Sequence, residues 1–172
     1  MKRLIGFCLI IAGLALAIGC SKETPVVLTA DEQLAYDIAA IDEYLAKNNI
    51  NAIKLESGVR YFLTEVGTGP LPTKDNCIAL RYVVTKLNDT TRIDYNDTPR
   101  GYHRPLKNLM TGVQLAVKLM PIGSKGSIYI PSGLAYGPNP DPRLGVGSNA
   151  ILRFDLDMFA ISNYNALGNY CY

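Results

Sequence analysis

One short segment of the chain carries apolar residues at helical spacing. Its apolar face would consist of Leu109, Val113, Ala116, Val117 and Met120. Thr111 and Gln114 match the capping-box pattern, which predicts that the helix begins at Gly112. Pro121 and Gly123 end the pattern, because neither residue favours continuation of a helix. The sequence therefore predicts a short amphipathic helix in the second half of the chain.

A second amphipathic pattern lies nearer the N-terminus, where Thr29 and Glu32 form another capping box. It predicts a helix over residues 30–49 whose apolar stripe consists of Leu34, Ile38, Ile41 and Leu45. Charged residues, Asp37 among them, lie elsewhere around this helix. The stripe could pack against the chain's own domain or join two copies of the chain as a homodimer, and the pattern leaves both open.

Apolar and polar residues alternate in several other segments, which is the pattern of strands with one buried face. The predicted strands are residues 59–66, 76–87, 92–95, 127–130 and 150–161. Alternation places the side chains of Ile78, Leu80, Tyr82 and Val84 on one face, so Tyr82 is expected to face the core. In the last strand the core-facing residues are predicted to be Leu152, Phe154, Leu156, Met158 and Ala160. The segment that ends at Pro105 is predicted to be irregular.

The first residues of the chain have the features of an export signal. Lys2 and Arg3 precede a short apolar run, which ends in small residues before Cys20. The run is shorter than the roughly 20 residues that a membrane-spanning helix needs, which argues against the alternative of a signal anchor. Because Ala17-Ile18-Gly19-Cys20 resembles a bacterial lipobox, Cys20 is expected to become the lipidated first residue of the mature protein.

Charge and cysteine content narrow the classes of function. The chain has 17 basic and 15 acidic residues, so loss of Lys2 and Arg3 with the signal would leave no net charge. Such a balance offers no basic surface for nucleic acid. Export would permit a disulfide between Cys77 and Cys171, but two unpaired thiols are the favoured interpretation. His103 is the single histidine, so neither a metal site nor any cofactor is expected.

Two motifs suggest a family. Residues 130–137, Ile-Pro-Ser-Gly-Leu-Ala-Tyr-Gly, follow a predicted strand, and residues 152–155, Leu-Arg-Phe-Asp, open the last one. With the short helix between residues 112 and 120, they make residues 59–161 resemble the FKBP-type peptidyl-prolyl isomerases. The resemblance implies an α+β fold, in which a bent antiparallel β-sheet wraps around a short α-helix, here with an extra N-terminal helix.

The resemblance also implies a set of site residues. Catalytic roles are implied for Tyr82, Asp94 and Tyr136. Substrate-binding roles are implied for Ile93, Tyr102, Leu109, Met110, Val113, Leu144, Val146 and Phe154, with Leu144 and Val146 as an apolar rim. The Tyr136 hydroxyl and the Met110 amide would hold substrate carbonyls on either side of a bound proline.

Two of these positions depart from the usual pattern of the family. Val113 stands where the family usually has the tryptophan that forms the pocket floor, and Ile93 stands where it usually has phenylalanine. The pocket is therefore expected to be wider and less aromatic than usual. The implied function is peptidyl-prolyl cis-trans isomerisation of Xaa-Pro bonds in exported or envelope proteins, and the alternative is a non-catalytic proline-peptide binding or chaperone module on the same fold.

We expect the chain to consist of five parts. These are a signal peptide at 1–19, a lipidated tether at 20–29, the N-terminal helix at 30–49, the FKBP-like domain at 55–163 and a tail at 164–172. The implied partners are proline-containing polypeptides and, through the lipid, a membrane. The expected location is the bacterial cell envelope, facing the periplasm or the cell surface.

Overall fold

The computed structural model describes residues 28–139, 141–163 and 171. Its helices are α1 (Ala30–Lys47) and α2 (Thr111–Val117). Its strands are β1 (Ile53–Lys54), β2 (Arg60–Glu65), β3 (Asn76–Lys86), β4 (Asp94–Asn96), β5 (Tyr102–Pro105), β6 (Lys125–Ile130) and β7 (Leu152–Asn163). The predictions for residues 1–19 and for lipidation of Cys20 lie outside the described residues. None of the helices in the described ranges is both long and apolar enough to cross a membrane.

The strands form one antiparallel sheet in the order β1-β2-β6-β7-β3-β4. β5 also pairs with β3, over the first half of that strand, and β4 pairs with the second half. The two short strands therefore share one edge of β3. The predicted α+β fold, an antiparallel sheet with a short helix and an extra N-terminal helix, is confirmed.

Helix α2 packs on the sheet through the apolar face that the sequence predicts. Val113, Ala116 and Val117 are buried in the main core together with residues of β3, β6 and β7. Gly112 lies so close to Ile130 of β6 that an added Cβ atom would overlap the isoleucine side chain. The glycine thus permits the close approach of helix and sheet, which brings the first turn of α2 to the site described below.

The two predicted capping boxes have different outcomes. At α1, the Thr29 amide donates to Glu32 Oε2 at 2.8 Å and the Glu32 amide donates to Thr29 Oγ1 at 3.3 Å, so this box is confirmed. At α2 the prediction is wrong, because the helix begins at Thr111 with Met110 as its N-cap. The side-chain amide nitrogen of Gln114 instead donates to the Leu109 carbonyl at 2.6 Å. This bond satisfies a carbonyl of the turn before the helix.

The apolar stripe of α1 packs against the chain's own domain. Ile41 and Leu45 are buried in a second core cluster with Leu87 and Tyr129. This is the first of the two alternatives that the pattern left open, and it uses the surface that a homodimer through this stripe would require. The sequence also placed Asp37 on the polar surface, whereas its side chain is fully buried in the structure.

A β-bulge changes which residues of β7 face the core. Leu80 pairs with Met158 and Ala79 pairs with Ala160, so Phe159 is an extra residue on β7. Strict alternation had predicted an inward Ala160. Because the bulge shifts the alternation by one residue, Ile161 packs against the core instead.

Two short strands were not predicted. β5 lies in the segment that the sequence indicated as irregular, and it carries the exposed His103 and Arg104. β1 has only two residues, both exposed. Neither strand has an apolar alternation of its own, so each exists only because a longer neighbour, β3 or β2, supplies the hydrogen-bonding edge.

The favoured interpretation of two unpaired thiols is wrong. Cys77 and Cys171 form a disulfide, with their Cα atoms 5.6 Å apart. Cys77 is buried at the start of β3, so the bond ties Cys171 to the sheet. Sequence spacing could not reveal this pairing, because the two cysteines are 94 residues apart and only the fold brings them together.

Candidate functional site

A cavity of about 190 Å³ lies between the first turn of α2 and the sheet. Each of β3, β4, β5 and β7 contributes to its wall, and so does the turn after Pro131. The lining consists of Leu80, Tyr82, Val84, Asp94, Tyr102, Asn108, Leu109, Met110, Val113, Tyr136 and Phe154. Eight of these residues are site residues that the sequence predicted.

Strand register brings the cavity walls together. Val84 of β3 pairs with Phe154 of β7 on one side and with Asp94 of β4 on the other. Leu80, four residues earlier on β3, pairs with Tyr102 of β5. Residues far apart in the chain therefore meet on either side of Tyr82.

Three aromatic rings form the apolar part of the cavity. The ring of Tyr82 stacks on Phe154, with centroids 5.0 Å apart, and meets Tyr102 edge to face at 5.6 Å. The Arg104 guanidinium lies over the Tyr102 ring at 4.9 Å from its centroid. Such contacts stabilise ring pairs and hold their orientation, so the walls are set before any ligand arrives.

The Tyr82 hydroxyl is already engaged. It donates to Asp94 Oδ2 at 2.9 Å, while Asp94 Oδ1 accepts a hydrogen bond from the Tyr95 amide at 2.8 Å. Burial raises the pKa of Tyr82, and the bond to Asp94 raises it further. Tyr82 thus contributes a ring to the cavity, and Asp94 fixes that ring in place.

The Tyr136 hydroxyl differs from that of Tyr82. No described residue hydrogen-bonds it, although its ring lines the cavity. Burial raises the pKa of Tyr136, and the negative charge of Asp94 adds to the effect, so the hydroxyl keeps its proton at neutral pH. The Met110 amide, at the N-cap of α2, likewise meets no acceptor within the described ranges.

Three predicted site residues do not line this cavity. Ile93 is half-buried against the core and its amide donates to the Val84 carbonyl at 2.8 Å, but it is not among the lining residues. Leu144 and Val146 were predicted as an apolar rim. Val146 is instead buried in its own loop, where it bridges to Asp141, and Leu144 is half-buried in the same loop.

Sequence reasoning missed three lining residues, Leu80, Val84 and Asn108. Leu80 and Val84 could have been found, because they flank Tyr82 on the same face of β3. Asn108 ends the single 3₁₀ turn between β5 and α2, and nothing in its sequence context marks it.

A wider depression on the sheet has a different character. It has a volume of about 390 Å³ and is lined by ion pairs, Arg81 with Asp157 at 2.8 Å and Arg153 with Asp155 at 2.8 Å. Most of the charges in this lining are therefore paired with one another. The smaller cavity combines apolar walls with donors that have no acceptor among the described residues, which is the usual composition of a ligand site.

This lining suits binding better than covalent chemistry. Its side chains include no cysteine, serine, lysine or histidine, and its one carboxylate is bonded to Tyr82. Within the described residues, no three His, Cys, Asp or Glu side chains gather as metal ligands would. The arrangement can hold a small apolar ring and donate hydrogen bonds to polar groups beside it.

Comparisons with known proteins agree with this geometry. The family described as FKBP-type peptidyl-prolyl cis-trans isomerase matches residues 69–159. Over 135 residues the chain is 37% identical to the FKBP-type peptidyl-prolyl cis-trans isomerase FkpA of Aeromonas hydrophila, covering 74% of this chain and 48% of that protein. Over 124 residues it is 27% identical to the outer membrane protein MIP of Legionella longbeachae, covering 70% and 52%. The chain thus spans about half the length of these curated relatives.

A solved structure extends the agreement to three dimensions. The peptidyl-prolyl cis-trans isomerase of Pseudomonas syringae pv. tomato has a TM-score of 0.66 and 25% identity, covering 80% of this chain and 99% of that one. FkpA of Escherichia coli, at 24% identity and a TM-score of 0.63, shares the fold.

Proposed function

Because the chain belongs to the FKBP-type peptidyl-prolyl cis-trans isomerase family, we propose that it catalyses rotation about Xaa-Pro bonds in exported polypeptides. The proline ring would enter the cavity between Tyr82, Tyr102 and Phe154. The observation that carries this proposal is the combination, in one cavity, of three aromatic rings with two unpaired hydrogen-bond donors.

The reaction needs no nucleophile. A planar peptide bond is held by resonance, with a barrier to rotation of about 18–20 kcal/mol. Twisting removes that resonance and makes the bond less dipolar. An apolar cavity therefore disfavours the planar form relative to the twisted one, and this difference in binding lowers the barrier.

The two donors would orient the substrate. Tyr136 and Met110 both line the cavity, one from the turn after Pro131 and the other from the N-cap of α2, so their hydroxyl and amide would hold carbonyls on either side of the proline. Holding both ends while the bond between them turns favours the twisted geometry. Asp94 acts indirectly in this scheme, because its bond to Tyr82 fixes one wall.

Binding without turnover is the second candidate, and Val113 favours it. Val113 is buried and lines the cavity, and its side chain is aliphatic and smaller than the tryptophan that is usual in the family. A wider pocket would hold a proline less firmly during rotation.

An isomerisation assay on Xaa-Pro tetrapeptides with the purified chain separates the two candidates. Acceleration well above the uncatalysed rate, which has a time constant of tens of seconds, would support the enzyme. Saturable peptide binding without acceleration would support the binding protein. Neither binding nor acceleration would refute both candidates.

Changing Tyr136 to phenylalanine tests the proposed donor. The ring is kept and only the hydroxyl is lost, so we expect a loss of about 0.5–1.5 kcal/mol in transition-state stabilisation, measured from kcat/KM. Tyr95→Phe is the matched control, because Tyr95 is exposed outside the cavity. Equal rates in wild type and Tyr136→Phe would show that the ring merely packs.

We also propose that the chain is anchored to a bacterial membrane by a lipid on Cys20, facing the periplasm or the cell surface. The lipobox-like sequence supports this location. So do the Cys77–Cys171 disulfide, since such bonds persist in oxidising compartments, and the name of the related outer membrane protein. Homodimerisation, if it occurs, would need a surface other than the stripe of α1, because Ile41 and Leu45 are buried within the chain.

Labelling with a radioactive fatty acid tests the anchor. We expect incorporation in the wild type and none in Cys20→Ala, because the thiol is the attachment point. Cys8→Ala is the matched control, since Cys8 lies within the predicted signal peptide and should not affect labelling. Label retained in Cys20→Ala would contradict the prediction.

A further inference from the structure

Asp37 is a buried carboxylate that the proposed mechanism does not use. It lies on α1, outside the residues that match the family, and its side chain is fully buried. Its Oδ2 accepts hydrogen bonds from the Ser132 amide at 2.7 Å and from the Ser132 hydroxyl at 2.6 Å. Its Oδ1 accepts a bond from the Gln33 amide nitrogen at 2.7 Å. Three donors therefore converge on this carboxylate.

These bonds belong to a closed ring. The Gln33 side-chain oxygen accepts a bond from the Asn149 side chain at 3.1 Å, and the Asn149 backbone amide donates to the Gly137 carbonyl at 2.8 Å. The Gly137 amide then donates to the Ser132 carbonyl at 2.8 Å, which returns to Asp37. We call this set of Gln33, Asp37, Ser132, Gly137 and Asn149 the Asp37 ring.

The Asp37 ring holds both ends of the segment that carries Tyr136. Ser132 begins that segment and Gly137 ends it, and Tyr136 precedes Gly137 directly. Gly137 and Asn149 both have positive φ angles, 62° and 52°, a conformation that needs support at a non-glycine residue such as Asn149. The backbone on which the tyrosine ring sits is thus tied at its two ends to α1.

Attachment of α1 does not explain the burial of Asp37. The helix is already held by Ile41 and Leu45, and by Asp42, whose Oδ1 accepts a bond from Arg60 Nε at 2.9 Å. An apolar residue at position 37 could add packing without the cost of desolvating a charge. What only Asp37 provides is a pair of hydrogen bonds to Ser132.

We propose that Asp37 is a positioning residue for Tyr136, so that the N-terminal helix forms part of the isomerase site. This inference rests on the proposed function. Asp37 touches neither the cavity nor a substrate there. It acts through the Asp37 ring, which keeps the Tyr136 hydroxyl aimed at the substrate carbonyl.

The first test compares Asp37→Asn with Asp42→Asn in the full chain. Both remove one carboxylate from α1. Only the first changes the group that accepts the hydrogen bonds of Ser132 and Gln33. We expect Asp37→Asn to lower kcat/KM by about twofold to tenfold, the range that one net hydrogen bond supports. Asp42→Asn should leave kcat/KM of the folded protein unchanged.

The second test asks whether the effect passes through Tyr136. In a Tyr136→Phe background there is no hydroxyl to aim, so Asp37→Asn should cost much less there than in the wild type. A general loss of structure would instead lower the rate by the same factor in both backgrounds. Equal factors would therefore overturn the proposal.

Amide hydrogen exchange provides a readout that does not need activity. Asp37→Asn should speed exchange of the Ser132 and Gly137 amides by about fivefold or more, while Asp42→Asn should not. If Asp37→Asn does not fold, Ser132→Ala replaces it, because this variant loses only the hydroxyl bond to Asp37 and keeps the amide bond.

The outcomes distinguish this proposal from the proposed function. A wild type without turnover or affinity for proline peptides refutes the function, and the positioning role with it, whatever the exchange rates show. An active wild type whose kcat/KM is unchanged by Asp37→Asn and Ser132→Ala overturns the positioning role alone.

Discussion

Replacing Cys171 with alanine is expected to lower the free energy of unfolding by about 2–5 kcal/mol. The disulfide between Cys77 and Cys171 closes a loop with a sequence separation of 94 residues. In the chain-entropy account, a cross-link over about 100 residues removes freedom from the unfolded chain worth about 4.7 kcal/mol. Urea unfolding of the oxidised wild type and the variant measures the difference.

The position of the substitution matters for this test. Cys77 is buried in β3, so its replacement would also disturb packing, whereas replacing Cys171 removes the bond and leaves Cys77 in place. A reducing agent provides the control: it should bring the wild type to the stability of Cys171→Ala and leave the variant unchanged. Equal midpoints for wild type and variant under oxidising conditions would mean that the two cysteines do not pair in solution.

Replacing Phe154 with alanine is expected to cost about 3–5 kcal/mol, because a large buried ring is lost from the core. The ring is 8% exposed and stacks on Tyr82. Its removal therefore also removes part of the cavity wall. One side of Phe154 already borders the cavity, which places the expected cost near the lower end of the range. Isomerase activity should fall together with stability, since the proline would lose a contact surface.

Phe159→Ala is the matched control on the same strand. Phe159 is the bulged residue of β7, and its ring is half-buried beside Arg81 and His103, away from the cavity. We expect a smaller loss of stability than for Phe154 and no direct effect on activity. If Phe154→Ala left the denaturant midpoint unchanged, the assignment of the inward face of β7 would be wrong.

The N-terminal helix makes contacts in the structure that its sequence pattern does not indicate. The stripe of Ile41 and Leu45 attaches α1 to the domain, and Asp37 connects it to the Tyr136 segment. If the positioning role is correct, removal of this helix would weaken catalysis even though no residue of α1 lines the cavity. The helix would then be required for full activity.

Much of the fold could be predicted because its information is local. The alternation in β3 and β7, the helical spacing in α2 and the capping box of α1 each lie within a few residues of sequence. The cavity is different, because its eight predicted residues were implied by the family resemblance and not by a local pattern. Of these, Leu109, Met110 and Val113 lie around the start of one helix, whereas Tyr82, Tyr102 and Phe154 come from three strands.

Features that depend on contacts between distant segments were not predicted. The pairing of Cys77 with Cys171, the strand β5 and the bulge at Phe159 each require a partner elsewhere in the chain. The bridge between Val146 and Asp141 in the predicted rim was likewise not predicted. Local sequence carries no signal for any of these contacts.

Asp37 illustrates the difference between local and long-range information within one helix. By sequence alone, an aspartate between apolar positions of an amphipathic helix belongs to the solvated face, since burying a carboxylate without partners is costly. The sequence determined that a helix forms here and which of its apolar residues share one face. Only the tertiary structure decided that Asp37 is buried. Its three hydrogen-bond donors come from Gln33 on the same helix and from Ser132, 95 residues away.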